Sequence, residues 1–215
     1  MRTLAWDCAT GNGQAAVSLG ERFDRVIATD ASDSQIRNAV AADNVEYRVA
    51  TAYDSGIEPA SVDLITVAQA IHWFDLTRFY QEANRVLRPD GVIAVWGYGD
   101  PLVDDPELNA IVHRYNRGTI ESYWHPERHI VLAGYSGIEF PFLELESPSL
   151  QLECHWSLSE LAGYMRTWSA TASFAAQNGY DPVIDVESAL ARTWGQPEST
   201  RTVTWPLALR VGKRP

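Results

Sequence analysis

Two glycines, Gly11 and Gly13, stand two apart in "DCATGNGQAA" (residues 7–16), directly after a short apolar run that ends in Asp7. Glycines so placed let the backbone approach a ligand with no Cβ in the way. A helix opening after them presents unbonded N–H groups to an anion. A second carboxylate, Asp30, closes the run "RVIATD", at the depth where it could accept hydrogen bonds from both hydroxyls of a ribose. A tight strand-to-helix turn, or an aspartate capping a helix, accounts for either feature alone. The two together, in this order, point to a nucleoside ligand.

Two ligand classes fit such a turn. Gly11-x-Gly13-x-x-Ala16 is compatible with the dinucleotide fingerprint, which raises a nicotinamide-dependent oxidoreductase. Asp7 argues against it. A carboxylate beside the turn repels a pyrophosphate and suits a cation, such as the amino group and sulfonium of S-adenosylmethionine.

Other side chains could serve a reaction. His72 follows an apolar run and could act as a base, or could pack with Trp73 against the ligand. Trp73, Trp96 and Tyr98 stand at strand ends and could wall a site or belong to the core. "ESYWHPERH" (121–129) clusters Tyr123, Trp124, His125, Glu127, Arg128 and His129. His125 and His129 are four apart, yet Pro126 breaks the helix that a metal-binding pair would want, so no metal is expected. Arg128 could anchor an acidic substrate or form a surface ion pair. Tyr164 and Trp168 are four apart and share a helix face, as core or as part of a pocket. Cys8 and Cys154 suggest neither a disulfide framework nor a zinc site, and Cys8 reads as a small filler of the turn.

These residues must be positioned by a sheet. In the first hundred residues strand and helix signals alternate at short spacing. Leu4–Trp6, 25–29, 45–49, 62–68 and 92–96 read as strands, with 45–49 at or near an edge. Helices are expected over 14–21, from a Ser32/Gln35 capping box to about Ala41, and from Asp75 through Leu87, with a turn at Pro89-Asp90-Gly91. The second half reads as a largely helical, irregular stretch to about 137, two short alternating runs around Pro148, helices over 158–175 and 185–194, and a closing strand over 202–211. No Gly/Ser linker and no internal repeat is visible. The expectation is one α/β domain over 1–215: a cofactor-binding half (1–98), an insertion or substrate cap (99–175), and a closing helix and strand (176–215).

Composition sets bounds on partners. A formal net charge of -11, with no clustered Lys/Arg run, disfavours nucleic acid. No leader and no run long enough to span a bilayer is seen, so no membrane association is expected and the cytoplasm is the default.

The pieces "LAWDCATGNGQAA", "FDRVIATDAS", "VDLITVAQAIHWFD", "RVLRPDGVIAVWGYG" and "TVTWPLALRVGK", in this order, resemble class I S-adenosylmethionine-dependent methyltransferases. Within these, the similarity is to the methyltransferase-11 type grouping and its trans-aconitate methyltransferase-like members. The resemblance implies a Rossmann-like, doubly wound, mostly parallel seven-stranded sheet with an antiparallel last strand and a helical insertion after the fifth strand. It implies S-adenosylmethionine as cofactor and S-adenosylhomocysteine as product. Asp7, Ala9, Gly11 and Gly13 would line the methionine and ribose side. Asp30 would hold the ribose, Ala31 would lie beside the adenine, and Ala52 and Tyr53 would approach its edge. Gln69, Ala70, His72 and Trp73 would face the sulfonium and the substrate. The substrate pocket would draw on Trp73, Tyr98, Trp124, Arg128, Tyr164 and Trp168. Thr51 stands where many relatives have an acidic residue. The N-terminal helical lid that the family carries is expected to be missing, because Met1 lies a few residues before the turn.

The acceptor expected on this reading is a small molecule, with a carboxylate one case: it needs no base, but against a net charge of -11 it needs an arginine or several hydrogen bonds to hold it. A lidless, non-catalytic binding protein is the alternative from another class. A surface bared by a missing lid could be covered by a second copy, which allows a homodimer.

Overall fold

In the computed structural model, which describes residues 2–196 and 198–215, the first half follows the alternation of its apolar runs. Strand β1 (Leu4–Cys8) leads through the glycine turn into α1 (Gln14–Gly20), β2 (Arg25–Asp30), α2 (Asp33–Arg37), β3 (Val45–Val49), β4 (Val62–Ala68), α3 (Leu76–Val86) and β5 (Leu87–Tyr98). A single turn of 3-10 helix, Ile71–Trp73, joins β4 to α3.

Strands β1 to β5 are parallel where they pair, in the order β3-β2-β1-β4-β5. The order reverses between β1 and β4. The carboxyl ends of those strands therefore flank the crevice where open α/β sheets bind ligands. Trp6, Val26, Ile65, Phe79, Leu87 and Ile93 form the core beneath it, each at most 3% exposed. Helix α3 is held by Asp75, which accepts from the Arg78 N–H at 3.2 Å, and it buries Phe79, Tyr80, Ala83 and Val86 on one stripe.

The second half adds β6 (Leu102–Val103), α4 (Pro106–Arg114), α5 (Arg128–Leu132), β7 (Leu143–Leu145), β8 (Leu150–Trp156), α6 (Leu158–Arg166), α7 (Ser169–Asn178), α8 (Val183–Trp194) and β9 (Arg201–Lys213). Between α4 and α5 the backbone makes a π turn at Tyr115–Thr119 and a 3-10 turn at Glu121–Tyr123. Among the described residues the sheet has nine strands, not seven. The extra ones arise because the 13-residue β9 is long enough to pair antiparallel with β7 at 211–213 and with β8 at 201–207, with β6 also antiparallel to it. The insertion is thus helical and stranded. Two other expectations shift locally. Helix α2 stops at Arg37, and the stretch 158–175 is two helices, because Trp168 adopts an extended φ/ψ of -69/134 before α7.

The chain forms two compact units. The first comprises Met1–Tyr98, Ala133–Ser149 and Ala208–Pro215. The second comprises Gly99–Leu132 and Leu150–Leu207, with β6 and β8 against the first half of β9 and with α4 and α6 packed on α8.

Candidate functional site

Beyond the carboxyl ends of β1, β2 and β4, within the first unit, lies a cavity of about 460 Å³. That is within the usual range for small-molecule sites. Its wall is largely made of small side chains: Ala9, Ala31, Ala50, Ala52, Ala68 and Ala70. Asp30, Ser32, Gln35 and Gln69 supply polar groups, and Trp73 and Phe74 supply aromatic faces. Six alanines leave room for a broad, flat ligand, and the polar groups can fix its orientation.

Asp30 is placed by two backbone donors. Its Oδ2 accepts from the Gly11 N–H at 2.9 Å and its Oδ1 from the Ser32 N–H at 2.8 Å. Each oxygen keeps further lone-pair capacity. The carboxylate thereby joins the glycine turn to the end of β2. The turn is completed by Thr10, whose N–H donates to the Thr29 carbonyl at 2.9 Å.

Strain gathers at the same place. Ala9, at the end of β1, has φ +56, and Gln69, at the end of β4, has φ +52. Non-glycine residues rarely adopt this region, and it persists where surrounding structure imposes it, often at functional sites. Both residues line the cavity. Gln69 Nε2 donates to the Tyr98 carbonyl at 2.8 Å, while its Oε1 is buried without a hydrogen bond among the described residues.

Several expected site residues lie behind the wall. Asp7 is 1% exposed, and its two oxygens accept from the Thr66 hydroxyl at 2.7 Å and the Thr10 hydroxyl at 2.5 Å. Burial raises its pKa, with those hydroxyls opposing the shift. Asp7 braces the turn from below and does not form the cavity surface, because its carboxylate is consumed by Thr10 and Thr66. Gly11 and Gly13 shape the turn without lining the cavity. At Gly13 the backbone has φ +92, and a Cβ would meet the Tyr47 ring at 2.8 Å. Tyr53 accepts at its hydroxyl from the Asp75 N–H at 2.8 Å and carries Arg78 over its ring, so it holds the start of α3. The Cys8 thiol is pushed well up by burial beside Asp7, which makes it inert as a nucleophile.

His72 sits in the 3-10 turn after β4. Its Nδ1 lies 3.3 Å from the Tyr135 hydroxyl, and the two rings stack at 6.1 Å. Trp73 beside it is 52% exposed and lines the cavity.

Tyr98 closes β5 in the first unit, where its carbonyl accepts from Gln69 Nε2. The other substrate candidates, Trp124, Arg128, Tyr164 and Trp168, lie in the second unit. Arg128 takes the ion-pair role, in a partly buried setting. It pairs with Asp100, donates to Asn116 Oδ1 at 3.1 Å and stacks 3.9 Å over the Trp124 ring. Burial lowers its pKa, and Asp100 opposes that shift. Trp124 donates to the same Asn116 oxygen at 2.8 Å. Tyr164 packs against Trp156, Trp168 and Trp205, accepting from the Trp205 indole at 3.1 Å. Trp168 is 7% exposed. Aromatic spacing alone does not separate such a core from a pocket. His125 pairs with Glu127, His129 Nδ1 donates to the Pro126 carbonyl at 2.7 Å, and no metal-holding cluster occurs among the described residues.

Residues not singled out from sequence also line the cavity. Ser32 and Gln35 were legible only as a helix cap, and Ala50, Ala68 and Phe74 carried no signal. Tyr135, 63 positions from His72, had none either.

Comparison with known proteins now bears on this site. A family model described as "Methyltransferase domain" matches residues 6–95. A candidate methyltransferase of Dictyostelium discoideum is 36% identical over 195 residues, covering 90% of this chain and 74% of that protein. The chain belongs to the S-adenosylmethionine-dependent methyltransferases. A candidate S-adenosylmethionine-dependent methyltransferase of Saccharomyces cerevisiae is 26% identical over 212 residues, covering 83% of this chain and 73% of its own length. A solved structure from Anaeromyxobacter dehalogenans, titled as a candidate type II methyltransferase, is 46% identical with a TM-score of 0.92, covering 99% of this chain and 90% of that one.

This methyltransferase is thus an enzyme with the Rossmann-like fold of its class, and S-adenosylmethionine is its cofactor. The nicotinamide reading is set aside. The cavity passes a direct test of fit: an acidic group on preorganised N–H donors, an orphaned buried acceptor on Gln69, alanine walls, and no cationic side chain among the lining residues that would repel a sulfonium. Among the described residues no helix is long and apolar enough to cross a membrane.

Proposed function

We propose that this methyltransferase acts on a small molecule, with a carboxylate as the acceptor group, and that the cofactor occupies the cavity over β1, β2 and β4. The observation that carries the cofactor placement is Asp30, fixed between the Gly11 and Ser32 N–H groups with lone-pair capacity to spare on each oxygen. In this assignment Asp30 receives the ribose hydroxyls. Ala31, Ala50 and Ala52 leave the slot for the base. Ala9 and Gln69, held at strained φ, bring the ends of β1 and β4 to the methionine portion. Trp73 and Phe74 supply apolar faces that exclude water.

When bound, S-adenosylmethionine supplies an electrophilic methyl group on a sulfonium. The chain's part is alignment and exclusion of water. A carboxylate acceptor needs no base, only positioning. A net charge of -11 favours a small acceptor over a polyanion such as nucleic acid.

Calorimetric titration with S-adenosylmethionine and S-adenosylhomocysteine tests the site. Micromolar binding that is lost in Asp30→Ala is the expected result. No heat from either ligand with the intact chain would refute the placement.

A further inference from the structure

His72 is the ionisable ring closest in sequence to the strained end of β4, and its protonation pattern can be read from its neighbour. Tyr135 is 0% exposed. Burial pushes its phenol well above the ordinary range, so the hydroxyl keeps its proton. A buried O–H donor needs an acceptor. The contact available to it is His72 Nδ1 at 3.3 Å.

The rival acceptor is Gln69 Oε1. Both groups overhang Gly97, where a Cβ would meet the Tyr135 hydroxyl at 2.5 Å and Gln69 Oε1 at 2.7 Å. Yet Oε1 makes no hydrogen bond among the described residues, and the amide orientation is set by Nε2 donating to the Tyr98 carbonyl at 2.8 Å. If Nδ1 carried the ring proton and donated to Tyr135, the phenolic proton would be left buried and unpaired. The opposite arrangement satisfies both groups. The ring stacking at 6.1 Å and 21°, with Tyr135 tethered through its carbonyl to Arg210 at 3.1 Å, holds the pair in register.

We infer that Tyr135 donates to His72 Nδ1 and fixes the imidazole as its Nε2–H tautomer, so that Tyr135 is a positioning residue for the ring and His72 Nδ1 does not serve as a general base. The Nδ1 lone pair is then taken by the phenol, and Nε2 carries the ring proton.

The test is a long-range ¹H–¹⁵N correlation spectrum of the full ¹⁵N-labelled chain, with His72 assigned by its loss in His72→Gln. The expected pattern is a protonated Nε2 and an unprotonated Nδ1 shifted by an accepted hydrogen bond. In Tyr135→Phe that shift should disappear, with the ring signals of His113, His125, His129 and His155 unmoved. A protonated Nδ1 in the wild-type chain, or an Nδ1 indifferent to Tyr135→Phe, overturns the inference. The wild-type spectrum decides it even if the variant does not fold.

Discussion

Substituting Gly13 by alanine tests whether the glycine turn is set by sterics. The backbone there has φ +92, which costs an L-residue about 1–2 kcal/mol. The added Cβ would also meet the Tyr47 ring carbons at 2.8 Å, well inside van der Waals contact. To relieve this the ring must move, and its hydroxyl must release the Val40 carbonyl, now 2.7 Å away. Overpacking of this kind costs about 1–3 kcal/mol. Gly13→Ala should therefore destabilise the chain by about 3 kcal/mol, a large share of the roughly 5–15 kcal/mol typical of a folded domain. Tyr47→Ala removes the obstacle but not the φ strain. In the double variant the two costs should fail to add, with a coupling energy of about 1–2 kcal/mol in favour of the double variant. Urea unfolding of the four proteins, followed by circular dichroism at constant m-value, reads this directly. Coupling below about 0.5 kcal/mol would show that the ring is not what Gly13 avoids, and the steric account would fail.

Four further outcomes follow from the same contacts. Glu82 is 6% exposed; burial would raise its pKa, but hydrogen bonds from Arg85 and Ser55 outweigh this and hold it at about 2. A lowered pKa gives stability that is present above the unfolded value and is lost as pH falls toward the folded one. Glu82→Gln should thus cost about 2–3 kcal/mol at pH 7 and progressively less from about pH 5 downward, measured by unfolding across pH. Asp7 is shifted the other way by burial, so its favourable contribution lies in acid and is lost as pH rises through its folded pKa. The stability of Asp7→Asn relative to wild type should improve over that rise, and a pH-independent difference would contradict this. Asp100→Ala leaves Arg117 and the largely buried Arg128 without their shared carboxylate, and a loss of about 3 kcal/mol is expected in thermal unfolding. Trp73→Ala, at a side chain 52% exposed in the cavity wall, should weaken cofactor or acceptor binding severalfold in calorimetry while leaving the unfolding midpoint within a degree or two.

Periodicity and turn chemistry made the sheet of the first unit readable. Val62–Ala68 is apolar because it is buried on both faces, and the run before Gly11 could only be a strand entering a turn. Asp30 was legible as the carboxylate closing the run RVIATD, whereas Ala31, Ala52, Gln69 and Ala70 were reached only through the family resemblance; all five line the cavity. What was not legible depends on contacts between distant segments. Nothing in the local sequence around Asp7 announces that Thr66 will take its oxygen, 59 positions away. Nothing around Arg128 announces Asp100. Alanine and glutamine are not residues that signal a positive φ, so the strain at Ala9 and Gln69 left no mark. The alternating runs near Pro148 suggested strands, but their partner positions on β9 lie 45 to 70 residues on, from Trp156↔Arg201 to Leu143↔Lys213.

The first unit is assembled from three separated pieces of chain, the last of them only Ala208–Pro215. A ribosome delivers those residues only after every residue of the second unit has been made. Until then β5 waits without the neighbour that β9 provides, exposing an open sheet edge whose N–H and C=O groups can pair elsewhere. The emerging first unit therefore cannot close during synthesis, and its exposed interval is set by the time needed to make more than a hundred further residues. Loss of Ala208–Pro215 would be felt in the unit built mainly from Met1–Tyr98.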